Sequence, residues 1–453
     1  RYDALGRTLA ETVAAPFTIS GNAGSRTYGD ILAAATAFHG DSVAERRISY
    51  EGTATATATG VQESGEGFAG HPATTALHAS STTDPLLRCI RYTAESSVSE
   101  NMTVRHSGLY ADGELEVAET TDEDGRRTLT FTDPLGNVVL VRRIGDAGTM
   151  LDTRNVYSPS GLLLAVLPPA VSDPARNGES VRDDDMSRYA YLYRYDSRDL
   201  LTGRRLPGCE WERYAYDRTG RKVFSQDGNL RQEGRWEISL HDAFGRRCVT
   251  GHCRWNGDSE GLSRTRVTAV RSVNGSLMGY EAVCEGGSLS LQGIEISAVD
   301  YHDDYSFLGH NGLPAENDPK VAYRHEEGYG DLYAASAKGM LTGTVRLARI
   351  TGEAPADAYL YTMNYYDRRN RLIQTRSLNA LHGNDESHAA YDFAGLPTAQ
   401  RAVVRRAGGN EQPQIADVET LCSYDAAGRL TGASLRRVGG DAALARNTYD
   451  GLG

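Results

Sequence analysis

The sequence predicts an all-β protein built from repeated β-hairpins, and three observations carry that expectation. A short motif, Tyr-Asp-x-x-Gly-Arg, occurs intact at residues 2–7, 216–221 and 424–429. Relaxed copies stand at His241, Asp242, Gly245 and Arg246; at Tyr366, Asp367, Asn370 and Arg371; at Tyr391, Asp392 and Gly395; and at Tyr449, Asp450 and Gly453. The composition, 49 Gly and 25 Tyr against 8 Phe, is that of short strands joined by tight turns. By subtraction, the marks at 216 and 241, 366 and 391, and 424 and 449 are each 25 residues apart. Two strands of ordinary length and their connections fill such an interval.

Each residue of the motif has a mechanical reason to be there. Asp favours the first position of a type I turn, where its carboxylate accepts backbone N–H groups. Gly favours the fourth, where a positive φ lets the chain re-enter a strand through a bulge. Asn370 is the non-glycine residue type that best tolerates that geometry. Tyr before the turn is a strong strand former with a polar tip, and Arg after it can lie on an aromatic ring or bond the turn carboxylate. These side chains are expected to build hairpins and to do no chemistry.

Taken in order, residues 28–40 read as one helix, with Asp30 capping Ile31 to Phe38 and Gly40 ending it. Residues 53–59 alternate Ala and Thr and the stretch to Thr83 is small, polar and Gly-rich, so 41–85 reads as a mobile insertion rather than a separate domain. Residues 121–126 and 132–137 carry the turn without the Tyr. Residues 171–187, with Pro174 and the run Asp183, Asp184, Asp185, read as an exposed loop. Tyr195 and Asp196 begin a copy without the Gly-Arg closure. Between Cys248 and Tyr366 no clear mark appears, yet Ser288 to Ile296 and Leu341 to Ile350 read as strands, so the sheet is expected to continue. The expected organisation is one continuous array over 1–453, beginning and ending inside repeats and leaving open sheet edges at both ends.

Composition excludes several classes. A net charge of -12 argues against a nucleic-acid surface, which needs clustered Lys and Arg. No apolar run approaches the ~20 residues that span a bilayer. The six cysteines lack the paired spacing of a zinc ribbon, and strand alternation sets Cys248, His252 and Cys253 on differing faces. The acidic run at 183–185 lacks the ligand spacing of a calcium loop. Gly65, Gly67 and Gly70 spell a dinucleotide motif, but Thr-Ala alternation precedes it and His71-Pro72 follows, where a buried strand and a helix are required. His302 with Asp303 and Asp304 is the densest acid–base cluster and reads as structural. Paired carboxylates for glycoside cleavage meet only in the fold, and nothing nominates a pair. No catalytic, cofactor-binding or metal-binding residue is therefore named, no cofactor is expected, and the chain is read as no enzyme.

Together the marks resemble those of the RHS, or YD-repeat, proteins over essentially the whole chain. Further segments resemble the large exported bacterial branch of that family: 110–115 (YADGEL), 121–125 (TDEDG), 167–169 (LPP), 206–208 (LPG), 226–229 (QDGN) and 338–343 (KGMLTG). The resemblance implies hairpins winding as one spiralling β-sheet into a hollow shell, here incomplete at both ends. In toxin-bearing members that shell encloses a variable C-terminal polypeptide, which an aspartic-protease-like core segment cuts free. Neither the core segment nor a toxin domain is recognisable here. Asp133, Pro134, Leu135 and Gly136 are similar to part of that segment, but lie mid-chain before ordinary repeat sequence and read as a turn. The implied function is a non-enzymatic shell segment of a larger exported protein, secreted or at the cell surface. Its implied partner is a C-terminal polypeptide of the same protein. The alternative is a cell-surface adhesin or carbohydrate-binding scaffold, motivated by the abundant tyrosines, with surface glycans or proteins as partners.

Overall fold

The structure, a computed structural model, describes residues 1–13, 27–39, 44–50, 58–63, 72–96, 102–172, 181, 183–286, 289, 291–333, 337–348, 359–379, 383–407, 414–437 and 440–449. The chain is all-β with antiparallel pairing, and divides into two compact units, Arg1–Glu212 and Arg213–Gly453.

In the first unit the strands follow one another in space as Ala10–Thr12, Glu45–Tyr50, Ala58–Gln62, Ala73–Ala79, Glu116–Thr121, Arg127–Thr132, Val138–Ile144, Met150–Tyr157, Leu163–Leu167, Tyr191–Tyr195 and Leu201–Arg205. A separate hairpin, Ile90–Ser96 with Met102–Leu109, is inserted before Glu116. Alternation decides which face is buried: Val117, Leu129, Phe131 and Leu140 are fully enclosed and form one core cluster. A second cluster gathers Tyr92, Val104, Val156, Leu167, Leu192 and Trp211.

The second unit runs as a meander from the Arg213↔Gln226 pairing through Trp236–His241, Arg247–Arg254, Gln292–Asp303, Ala337–Leu347, Tyr359–Tyr366, Leu372–Leu378, Asn384–Tyr391, Pro397–Arg405, Gln414–Tyr424, Leu430–Arg437 and Gly440–Arg446. Its core is aromatic: Phe224 stacks on Trp255 at 4.2 Å, and Tyr301 on Phe307 at 4.1 Å. Arg266–Arg271 and Tyr280–Glu285 form a side hairpin.

Three expectations are corrected. Within 41–85, expected to be a mobile insertion, the described residues include three strands of the sheet, Glu45–Tyr50, Ala58–Gln62 and Ala73–Ala79: Ile48 pairs with Val61, Gly60 with Thr74 and Leu77 with Ala118. Small Ala and Thr on both strand faces removed the polar–apolar contrast that marks a strand. Residues 171–187 are no exposed loop where they are described. Helix Pro169–Ser172 buries Val171 and Ser172, and helix Asp183–Tyr189 buries Met186. Third, helix Tyr28–His39 is capped by Thr27, not Asp30. Thr27 Oγ1 accepts the Asp30 N–H at 3.2 Å while Asp30 Oδ2 accepts the Thr27 N–H at 3.0 Å, a reciprocal capping box. Gly40, the dinucleotide-like glycines, Ser288, Ile350, Asp450 and Gly453 lie outside the described residues.

The unmarked stretch between Cys248 and Tyr366 hides a split hairpin. His302 pairs with Leu341, and Asp303 Oδ1 accepts the N–H of Gly339 at 2.7 Å. Asp303 and Gly339 thus take the Asp and Gly places of the motif, with residues 304–338 spliced between them. The described residues of that insertion, 304–333, strap one face of the following strands. It buries Phe307, Leu308, Leu313 and Val321 and hydrogen-bonds Gln374 through both the N–H and the carbonyl of Arg324, at 2.9 and 2.8 Å. Beneath it lies a buried polar stripe of Gln374, Arg376, Asn384, Glu386 and His388.

Candidate functional site: the aspartate clasp and tyrosine fastener

The motif residues form a repeated structural site: the turn's backbone hydrogen bonds and the Oδ1 contact recur from turn to turn, while the partner of Oδ2 varies. In the hairpin at Asp367 the carbonyl accepts the Asn370 N–H at 3.0 Å and the N–H reaches Arg371 O at 3.0 Å. Oδ1 accepts the N–H groups of Arg369 and Arg371 at 2.8 and 2.9 Å, while Oδ2 accepts Arg371 Nε at 2.7 Å. One carboxylate therefore satisfies two turn donors and pairs the Arg that starts the next strand. Asp3, Asp242 and Asp425 repeat the arrangement with Arg Nε at 2.6, 2.6 and 2.7 Å. Asp217 uses Arg221 Nη2 at 3.1 Å. Asp133 holds Asn137 instead, through Nδ2 at 3.0 Å. The turn requires a positive φ at its fourth position, filled by Gly245 at 83° and by Asn370 at 60°. Asp199, at 61°, takes that place in the copy begun by Tyr195, which replaces the missing Gly.

Electrostatics follow from this geometry. Burial pushes the Asp217 and Asp367 carboxyls up, but the hydrogen bonds to each outweigh it and hold both below the ordinary range. Arg246 carries a second carboxylate, Asp303, on its terminal nitrogens at 2.9 and 2.6 Å. The hydrogen bonds from Arg246 hold the Asp303 carboxyl down at about 2.

The tyrosines then fasten hairpin to hairpin. The Tyr391 hydroxyl donates at 2.9 Å to the carbonyl of Leu372, the residue just after the Arg of the preceding turn. The same reach recurs from Tyr50 to Thr8, Tyr157 to Val138, Tyr195 to Leu163, Tyr366 to Leu341, Tyr424 to Pro397 and Tyr449 to Leu430, at 2.8–3.2 Å. Three of these rings also lie over the preceding Arg: Tyr50 on Arg7, Tyr391 on Arg371 and Tyr449 on Arg429, at 4.6–5.0 Å. Sequence reasoning assigned these Tyr to strands but missed the fastener. It also missed the turn at Ser158, whose Oγ accepts the Leu162 N–H at 3.0 Å in place of an Asp carboxylate.

The chemistry-bearing residues weighed from sequence are dispersed. Asp303 is held by Arg246 and Asp304 by its own turn, through Ser306 N–H at 2.9 Å. The 183–185 run lies in helix Asp183–Tyr189, where the neighbouring side chains of Asp184 and Asp185 diverge. A G-x-S-x-G pattern at Gly257, Ser259 and Gly261 supplies no strained elbow: Ser259 opens helix Ser259–Arg264, whose N-terminus is capped by the Asp258 carboxylate. His252 and Cys253 do not join Cys248. Instead Asp242, Cys248 and His302 bring ligating atoms within 4.8 Å of one another. Burial pushes the Cys248 thiol up to about 11 and the His302 imidazole below its ordinary value. Among the described residues no helix is long and apolar enough to cross a membrane.

No protein-family model matches the chain. No curated protein matches it. Among solved structures it is similar to TcdB2-TccC3-TEV at 15% identity, over 90% of this chain and 19% of that one, with a TM-score of 0.32. It is similar to TcdB2-TccC3 at 14% identity, over 84% of this chain and 18% of that one, with a TM-score of 0.32. The Tc holotoxin pore of Photorhabdus luminescens matches at 14% identity, over 84% of this chain and 22% of that one, with a TM-score of 0.20. The chain spans about a fifth of the length of the solved chains it matches.

Proposed function

We propose that this chain is a non-enzymatic wall segment of an RHS-type β-shell, within a larger exported protein that encloses or displays its own C-terminal polypeptide. The observation that supports this reading is the joint use of clasp and fastener. The polar groups of the repeat are engaged in closing the turns and in joining hairpin to hairpin, which suits a wall. Intact-mass measurement and N-terminal sequencing of the native full-length protein test it. A C-terminal polypeptide that is cleaved yet co-elutes with the chain is the expected result. A single uncut species overturns the container reading.

A carbohydrate-binding scaffold is the second reading, favoured by one feature of the first unit. A cavity of about 540 Å³ is lined by Tyr92, Tyr110 and Tyr157 together with Arg91, Asn137 and Asn155, a mixture of flat rings and amide donors suited to a sugar face. Retention on a glycan array that is lost in Tyr110→Ala supports it, and an array without binders removes it.

A further inference from the structure

One hairpin junction departs from the repeat at two positions at once. After Arg7, Arg371 and Arg429 the incoming side chain is a fastening Tyr, and after Arg221 it is His241, with Val223 two past the Arg. At the first three the position two past the Arg is Leu9, Ile373 or Thr431, none of them a strong metal donor. At the junction after Arg246 the incoming residue is His302, and the position two past the Arg is Cys248. We propose that Asp242, Cys248 and His302 form a binding site for one divalent transition-metal ion of the zinc class, which replaces the missing tyrosine fastener between these hairpins.

The geometry carries this. The three ligand atoms lie within 4.8 Å of one another, and Asp242 and Cys248 are buried; Cys248 and His302 are fixed by strand register and Asp242 by its hydrogen-bonded turn. His302 Nδ1 is buried with no hydrogen-bond partner among the described residues, a cost that a native structure rarely leaves without a reason. Thiolate, imidazole and carboxylate with water in the fourth position is a donor set that suits Zn²⁺.

Asp242 is already engaged: Oδ1 accepts the N–H groups of Phe244 and Arg246, both at 2.9 Å, and Oδ2 accepts Arg246 Nε at 2.6 Å. Asp303 resolves that conflict. It grips both terminal nitrogens of Arg246, so the guanidinium keeps a carboxylate partner when Asp242 Oδ2 turns to the ion. On binding, the Cys248 S–H proton leaves to solvent as the metal–sulfur bond forms, with no change of oxidation state. The ion and Arg246 then balance one thiolate and two carboxylates. This inference stands apart from the shell reading.

Cobalt(II) titration of the reduced, metal-free 453-residue chain tests it. The expected result is one equivalent bound, with a thiolate-to-cobalt charge-transfer band and tetrahedral visible bands, both abolished by added Zn²⁺. Cys248→Ser is expected to remove the charge-transfer band. His302→Tyr restores the repeat's own residue and so keeps the fold, as circular dichroism would verify, while weakening cobalt binding at least tenfold. Asp303→Asn, which touches no metal, is expected to weaken it about 10- to 100-fold, as loss of outer-shell support does. A folded chain that binds no cobalt, a band that survives Cys248→Ser, or unchanged affinity in His302→Tyr overturns the proposal.

Discussion

Two hairpins of the second unit show what the repeat needs and what it does not. The hairpin at Tyr424 closes directly, with two residues between Asp425 and Gly428; the one at His302 carries residues 304–338 between Asp303 and Gly339. Both keep one register, Tyr424 opposite Leu430 and His302 opposite Leu341, each with a shift just before the aromatic position. Both also receive the next tyrosine at the same place, Tyr449 on Leu430 O and Tyr366 on Leu341 O, each at 2.8 Å. Register therefore resides in the flanking positions, and the tip is free to grow. Lengthening the loop costs only about 2.5 kcal/mol on logarithmic closure scaling. The strap offsets this by burying Phe307, Leu308, Leu313 and Val321, at about 1.5–3 kcal/mol each before its own ordering entropy.

The largest expected effect comes from making the two hairpins alike. Replacing 304–338 with a two-residue turn should keep the His302↔Leu341 register but uncover Tyr365, Ile373 and the polar stripe. Hydrogen exchange should then show strands Gln292–Asp303 and Ala337–Leu347 still protected, while Leu372–Leu378 and Asn384–Tyr391 lose protection. Unchanged protection in the latter pair would show that the strap is ornamental.

Next in size is the stripe itself. Glu386 accepts from Asn384 Nδ2 at 3.0 Å and Arg405 Nε at 3.1 Å, and lies 3.3 Å from Arg376 Nη2. Glu386→Ala leaves Arg376 buried beside no carboxylate, and should destabilise the second unit by about 3–5 kcal/mol in urea unfolding. Burial pushes the Glu386 carboxyl up, but His388, Asn384 and Arg376 overcome this and hold it well below the carboxylate range. A folded value below the unfolded one means stability that is fully present above about pH 4.3 and lost as the pH falls beneath it. The wild-type chain should show that acid limb and Glu386→Ala should show less of it. Equal limbs would place the acid sensitivity elsewhere.

How far the sequence spoke follows from these same residues. Asp367, Asn370 and Arg371 announce their turn because every contact that makes it lies within five residues, so the motif holds the whole mechanism. The fastener was half visible: Tyr391 is plainly a strand residue, but its acceptor, Leu372 O, is a backbone atom that no sequence pattern marks. The split hairpin was hidden because Asp303 and Gly339 stand far apart, and the Ser158 turn because a hydroxyl does the carboxylate's work. The convergence of Asp242, Cys248 and His302 joins a hairpin turn and two strands, and only register, which the sequence does not print, brings them together.

The clasp gives the third prediction, which again compares two copies. Asp367 is nearly enclosed whereas Asp425 faces more solvent. Asp367→Ala strands two turn N–H groups and an Arg, for a loss of about 2 kcal/mol. Asp425→Ala should lose less, because water can reach the freed donors. Differential scanning calorimetry of the two variants ranks them, and a larger loss at Asp425 would mean that burial does not set the strength of the clasp.

The smallest effect should come from the fastener. Tyr391→Phe removes only the hydroxyl that meets Leu372 O and leaves the ring on Arg371. The expected loss is about 0.5–1.5 kcal/mol, the ordinary net worth of one hydrogen bond, whereas Tyr391→Ala should lose that and the ring contact as well. If Tyr391→Phe matched Tyr391→Ala, the hydroxyl would carry the whole junction; if it matched wild type, stacking on the guanidinium would. The intermediate value is expected because the two contacts hold different parts of the preceding hairpin, a backbone carbonyl on one side and the Arg side chain of the clasp on the other.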